Sequence, residues 1–213
     1  TGLGAANNDF TAFDVSLNTA LTSLQLQGND LTALDVSNNT ALTSLYVHSN
    51  DLTAFDVSNN TALTILYVGS NDLTAFDVSN NTALTFLYVS YMDLTAFDVS
   101  NNTALTRLYV SSNDLTILDV SSNTALETLN CHSNQLIYLN MKNGVTDQLT
   151  DFNATNNSSL TCIEVLDTDI DWATTNWTSV NGNIDEGVTF SEICPGNPSY
   201  TYIPDDNFEQ ALI

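Results

Sequence analysis

Basic residues are almost missing from this chain. Lys and Arg together number 2 among 213 residues, against 25 Asp and Glu, for a formal net charge of −23. Nucleic acid is thereby excluded as a partner, because neutralising phosphates needs a basic footprint. Anionic membrane surfaces are disfavoured for the same reason. No run of 18 apolar residues occurs, so no membrane-inserted segment is expected. Cysteines number 3 and histidines 2, with no CxxC or Cys/His spacing of the kind that holds zinc. No signal peptide is visible and no capping unit opens the chain. Leu3 already falls 21 residues before Leu24, and Phe13-Asp14-Val15 the same distance before Leu34-Asp35-Val36. A solenoid needs a cap over its first turn, so the chain reads as a fragment of a longer protein.

What is abundant is repetition. Sliding the sequence by 21 residues carries Asp35 onto Asp56, Asp77, Asp98 and Asp119, and Tyr46 onto Tyr67, Tyr88 and Tyr109. A fixed period of that length means stacked supersecondary units. Each unit has two similar halves. Leu42-x-x-Leu45-x-Val47-x-x-Asn50-x-Leu52 is followed by Leu52-x-x-Phe55-x-Val57-x-x-Asn60-x-Ala62. Alternation through Leu45-Tyr46-Val47 and Phe55-Asp56-Val57 is the strand signal, and the bends leave no room for a full helix. Asn recurs in one half at Asn29, Asn50, Asn71, Asn113 and Asn134, and in the other at Asn18, Asn39, Asn60, Asn81, Asn102 and Asn123. An amide side chain both donates and accepts, so such columns are expected to satisfy turn backbone that would otherwise be buried unpaired. Met92, after Tyr91, stands where the first column expects Asn.

Cys131 shares the inward column of Val47, Val68, Val89 and Val110, and is expected to be a buried, inert thiol. Cys162 and Cys194 bracket the non-repetitive segment after the repeats. Pairing them is the preferred reading over two free thiols, and implies an oxidising compartment.

The LxxLxLxxNxL pattern in short units without convex helices resembles leucine-rich repeat proteins of the internalin-like class. The LTxLDVSxNTALTxL phrasing resembles secreted, surface-associated leucine-rich repeat proteins of Bacteroidetes. The resemblance covers residues 1 to about 165 directly. It extends to Leu160-Thr-Cys162-Ile-Glu-Val165 and to Asn176-Trp177-Thr178 leading to Phe190-Ser-Glu-Ile-Cys194. It implies a mostly β repeat solenoid whose parallel concave sheet comes from the first half-unit, here Ser44 to His48, with extended and turn segments on the convex side. It further implies export to the bacterial cell surface. Three regions are expected: 1–158 as the array; 159–196 as a C-terminal cap, with Trp172 and Trp177 over the last turn and the Cys162–Cys194 bridge; and 197–213 as a linker and the start of a second array's cap.

The outward middle column of the concave strands reads Gln25, Tyr46, Tyr67, Tyr88, Tyr109, Asn130. Stacked tyrosines make an amphipathic strip suited to recognition, although cross-strand aromatic pairs also stabilise a sheet without a ligand. Ile65, Phe86 and Arg107 run on one side of it, His48, Ser90 and His132 on the other, and Tyr91 lies at its edge. The candidate ligand-binding residues are therefore Tyr46, Tyr67, Tyr88, Tyr109, Phe86, Arg107, His48 and Tyr91. The Asp column from Asp14 through Asp35, Asp56, Asp77, Asp98 and Asp119 must be solvated, locally hydrogen-bonded or neutralised by cations, since like charges about 5 Å apart repel by roughly 0.8 kcal/mol even in water. One carboxylate per turn is not a Ca²⁺ loop, and solvation is preferred. Thr ladders such as Thr22, Thr43, Thr64, Thr85 and Thr106 resemble those of some ice-binding solenoids, but serve strand edges and turns equally well.

No catalytic constellation, metal site or cofactor motif emerges; no serine has a paired base and orienter. The reading is an extracellular binding or adhesion module for protein or glycan, without catalysis. A structural spacer is the alternative and an ice-binding face the remote one. The exposed first turn also allows end-to-end self-association.

Overall fold

The computed structural model describes residues 1–195 and 197. The expected linker and second cap at 197–213 lie outside the described residues, Asn197 excepted. The chain winds as a succession of short segments with 3-residue strands. They are β1 (Gly2–Gly4), β2 (Ser23–Gln25), β3 (Ser44–Tyr46), β4 (Ile65–Tyr67), β5 (Phe86–Tyr88), β6 (Arg107–Tyr109), β7 (Ile117–Asp119), β8 (Thr128–Asn130), β9 (Tyr138–Asn140), β10 (Asp151–Asn153), β11 (Cys162–Glu164) and β12 (Thr189–Ser191). A single α-helix, α1 (Ile170–Asn176), lies between the last two among the described residues, with 3-residue 3₁₀ helices at Thr146–Gln148 and Asp167–Asp169.

Two parallel sheets result. The long one has 8 strands in the order β1-β2-β3-β4-β5-β6-β8-β10, and the short one 4, in the order β12-β11-β9-β7. Register in the long sheet never slips. Leu24 faces Leu45, Leu66, Leu87 and Leu108 in turn, and Gln25 leads through the tyrosines to Asn130. In β2 to β6 and β8 the central Leu points inward with no exposed surface; in β1 and β10 the inward residues are Leu3, partly buried, and Phe152. Val47, Leu52, Val57 and Leu63 complete the inward set of that turn, all fully buried. The core is one continuous column of such layers. The expected leucine-rich repeat solenoid is the observed fold.

The two half-units are less alike than their letters. Leu63, not Ala62, is the buried residue after Asn60, and Ala62 is exposed. The second bend therefore takes one residue more than the first, where Leu52 follows Asn50 directly into the core.

The sides also differ. On the side of the second half-unit the first five turns carry no strand, and the short sheet forms only from β7 onward. The residue type in the inward column changes at the same point. Phe55 and Phe76 stack with parallel rings 6.3 Å apart, 4° between their planes, whereas at β7 and β9 the corresponding residues are Leu118 and Leu139, fully buried, and these turns pair.

At the far end the Cys162–Cys194 disulfide is formed and Cys131 is a buried free thiol. Burial pushes the Cys131 thiol up to about 12, so it stays protonated and inert. Trp177, buried, packs on Phe152 at 4.2 Å and meets Trp172 edge-on at 5.7 Å. The short sheet runs on across residue 158, because β11 pairs with both β9 and β12. Glu164, at the end of β11, is 1% exposed. It accepts hydrogen bonds from Tyr138 Oη, Cys194 N and Asn197 Nδ2 and lies 3.6 Å from Lys142 Nζ. Burial pushes its carboxyl up, but these donors and Lys142 outweigh it and hold the group below its usual value.

Candidate functional site

The long sheet assembles the tyrosine strip. Identical register places Tyr46, Tyr67, Tyr88 and Tyr109 side by side, half-buried by one another. Tyr46 and Tyr67 stack at 5.0 Å, Tyr67 and Tyr88 at 5.7 Å, and Tyr88 and Tyr109 tilt against each other at 6.1 Å. Phe86, two residues before Tyr88, crosses diagonally to touch Tyr67 at 4.6 Å and Tyr109 at 5.5 Å. His48 closes the opposite border against Tyr67 at 5.6 Å and Tyr88 at 6.4 Å. Six rings thus form one connected surface.

Electrostatics ties the remaining candidates to it. Burial raises the Tyr67 phenol above its usual value, with Tyr46 and Tyr109 adding and the Arg107 guanidinium opposing. Burial also raises Tyr88, with Tyr91 and Tyr67 contributing. These hydroxyls are therefore protonated donors across the physiological range. Burial lowers His48 from its usual value, so its imidazole is neutral there. Arg107 is exposed on β6, beside Phe86 in register. His132 is separate, its Nδ1 held by Ser133 Oγ at 2.8 Å.

The irregular Tyr91-Met92 pair marks a local rebuilding. Every turn carries a residue of positive φ just before the first Asn column: Gly28, Ser49, Ser70, Ser112 and Ser133. Tyr91 adopts this left-handed conformation, at φ 59°, with a bulky side chain 55% exposed, which sterics disfavour. Met92 is buried in place of the amide. Beside it, Ser111 donates from both N–H and Oγ to Ser90 Oγ, at 3.0 and 2.9 Å.

One residue escaped the sequence reading. Gly69 stands in the column of His48, Ser90, Ser111 and His132. A Cβ there would lie 2.6 Å from Tyr88 Cε1 and 2.9 Å from Ser90 N, and would meet Ser90 O more closely still. Gly69 therefore makes the notch into which Tyr88 folds. The signal available in sequence was a lone glycine inside an otherwise side-chain-bearing column.

On the convex face, Asp14, Asp35, Asp56, Asp77, Asp98 and Asp119 each accept the N–H of the serine two residues on, at 2.8 to 2.9 Å. For Asp14 and Asp56 that N–H contributes most to holding the carboxyl below its usual value, and for Asp35 the Ser37 hydroxyl does. No group of His, Cys, Asp and Glu among the described residues converges as a metal site would. The Thr22 to Thr106 ladder is turned to the backbone. Each hydroxyl donates to the carbonyl of the threonine one turn earlier, as Thr64 does to Thr43 at 3.0 Å.

Comparison with solved structures places this architecture. The functional domain of internalin J from Listeria monocytogenes, described as including a cysteine ladder, is similar at 39% identity with a TM-score of 0.71. That match covers 78% of this chain and 39% of the other. A leucine-rich repeat protein of Leptospira interrogans matches at 19% identity and TM-score 0.64, over 77% of this chain and 49% of its own. Internalin F of L. monocytogenes matches at 22% and 0.62, over 78% and 48%. The chain thus spans less than half the length of these structures. The family model of the LVIVD repeat matches residues 26–46, 65–93 and 108–130, less than half of the chain. No curated protein matches. The chain has the leucine-rich-repeat fold, with internalin-like structural neighbours.

Two outcomes follow. Gly69→Ala is expected to lower stability by about 1–3 kcal/mol, since backbone has to move to admit the methyl. Urea denaturation measures it, and unchanged stability would contradict the close approach of the Ser90 backbone to Gly69. The acidic column predicts a pH dependence. The carboxyls of Asp14, Asp35 and Asp56 titrate lower in the folded state than in the unfolded one, whose value is near 3.8, so their contribution is present above that pH and lost as pH falls through the lower folded values. Melting temperature should drop on acidification below about pH 4; a flat profile there contradicts the assignment.

Proposed function

We propose that this chain is a binding module acting outside the cell, which holds a protein or a glycan against the concave strip. The observation that carries the reading is the connected surface of Tyr46, Tyr67, Tyr88, Tyr109, Phe86 and His48 on a sheet whose core contacts are made entirely by the alternate leucines. Rings that the core does not need supply apolar area and hydroxyl donors at low entropic cost, the combination that recognition surfaces favour. Arg107 and Tyr91 extend the strip at two borders and add a cation and a further phenol. The Cys162–Cys194 disulfide suits an oxidising, extracellular compartment. The chemistry offered is complementarity and hydrogen bonding without catalysis, consistent with an adhesion role at a bacterial surface.

Arrays of glycans and of extracellular proteins, probed with the native chain and with Tyr67→Ala/Tyr88→Ala, test the proposal. Hits of the native chain should weaken at least about tenfold in the double variant, the order expected for losing central aromatic anchors, while its circular dichroism at the assay temperature stays native. Hits retained in full would move the site off the strip. An absence of hits would leave the solenoid as a spacer between other domains.

A further inference from the structure

The convex face carries a second surface that the strip does not use. A trough runs lengthwise over the first five turns, floored by Phe13, Leu34, Phe55, Phe76 and Phe97. It consists of two stretches of about 760 and 670 Å³ that meet at Phe55. Each floor residue is flanked by an exposed Ala before it and an exposed Asp after it, so one wall is methyl groups and the other carboxylates. The trough ends at Ile117, which replaces the small Ala, and at Asp119, whose Oδ2 accepts Asn140 Nδ2 at 3.1 Å.

Charge and spacing define the occupant. No cation of this chain serves the wall: Lys142 is with Glu164, and Arg107 is on the long sheet. Each Asp from Asp14 to Asp98 accepts its serine N–H at Oδ1, and for Asp14, Asp35 and Asp56 the same serine's hydroxyl adds a bond; none of these carboxylates has a cation beside it among the described residues. The face repeats every 6.3 Å at Phe55 and Phe76, and an extended peptide repeats every second residue at about 6.4–6.8 Å. A chain lying lengthwise therefore places one side chain per turn on the floor and one per turn within reach of a carboxylate.

We propose that this trough docks an extended segment of a protein partner in which apolar residues alternate with Lys or Arg. The apolar set rests on the floor rings, and the basic set bends its flexible stems to the Asp wall.

The test is fluorescence anisotropy with a labelled peptide of about nine residues alternating Val and Lys, long enough to follow the trough. Comparators are a peptide of the same composition with its lysines in one block, and a Val/Glu alternation. The alternating basic peptide should bind. Binding should fall about tenfold with Asp56→Asn/Asp77→Asn, for two ion pairs lost, and by at least as much with Ala75→Trp, which fills the trough from an exposed position. The tyrosine double variant Tyr67→Ala/Tyr88→Ala should bind it unchanged, which separates this surface from the strip. Three results would overturn the proposal: no binding, equal binding of the blocked peptide, or indifference to Ala75→Trp. The last two would reduce the effect to general attraction by an acidic surface.

Discussion

The rest of this molecule depends on the carboxamide of asparagine, used once per bend to join one turn to the turn before. Asn50 shows the arrangement. Its Nδ2 donates to Val47 O of its own turn and to Leu26 O of the previous one, both at 3.0 Å, while its Oδ1 accepts Leu31 N–H at 3.1 Å. No other small side chain combines two donors with an acceptor in that span; aspartate only accepts and serine has one hydrogen. The second column works differently. Asn60 Nδ2 donates to Val36 O and Asn39 O, both at 3.0 Å, but its Oδ1 is buried without a partner, as in Asn39, Asn81, Asn102 and Asn123. A buried acceptor left unpaired costs about 1–3 kcal/mol, so the donor side of this column must more than offset it.

Constant coupling between turns produces constant register, and register produces the strip. Four tyrosines meet ring to ring because nothing shifts one strand against the next from β2 to β10. The column is broken at Met92, yet β4 and β5 stay in register. There the Ser90–Ser111 hydroxyl pair adds a tie to the following turn, and a tyrosine occupies a backbone conformation held elsewhere by Gly, Ser or Asn. The irregularity falls at the border of the aromatic surface, beside Tyr88, where a departure from local consistency most often accompanies function.

Much of this was legible in the sequence, because a 21-residue period multiplies every weak signal. One Leu-Tyr-Val triplet says little, while four in register identify the strands, the inward leucines and the outward tyrosines together. The Asn columns were legible for the same reason, and Cys162 and Cys194 by their position. Features set by size and by single positions were not. Phe and Leu look equivalent in the inward column, yet the turns of Phe55 and Phe76 form no ladder, whereas those of Leu118 and Leu139 pair. Ala62 and Leu63 could exchange roles on paper; only the longer second bend decides for Leu63. The notch at Gly69 depends on a ring from the next turn, which periodicity does not report. The convex trough exists because five alanines are small, and a column of alanines reads as filler until its neighbours are placed.

The central claim is that stability resides in the buried amides and not in asparagine content. Asn59 and Asn60 are adjacent and chemically identical, one exposed and the other fully buried in the column. Equilibrium urea unfolding of Asn59→Ala and Asn60→Ala tests the claim directly. The account predicts a change within about 0.5 kcal/mol for the first and a loss of about 1–3 kcal/mol for the second, whose two buried hydrogen bonds to Val36 O and Asn39 O are lost. Equal effects of the two substitutions would contradict it.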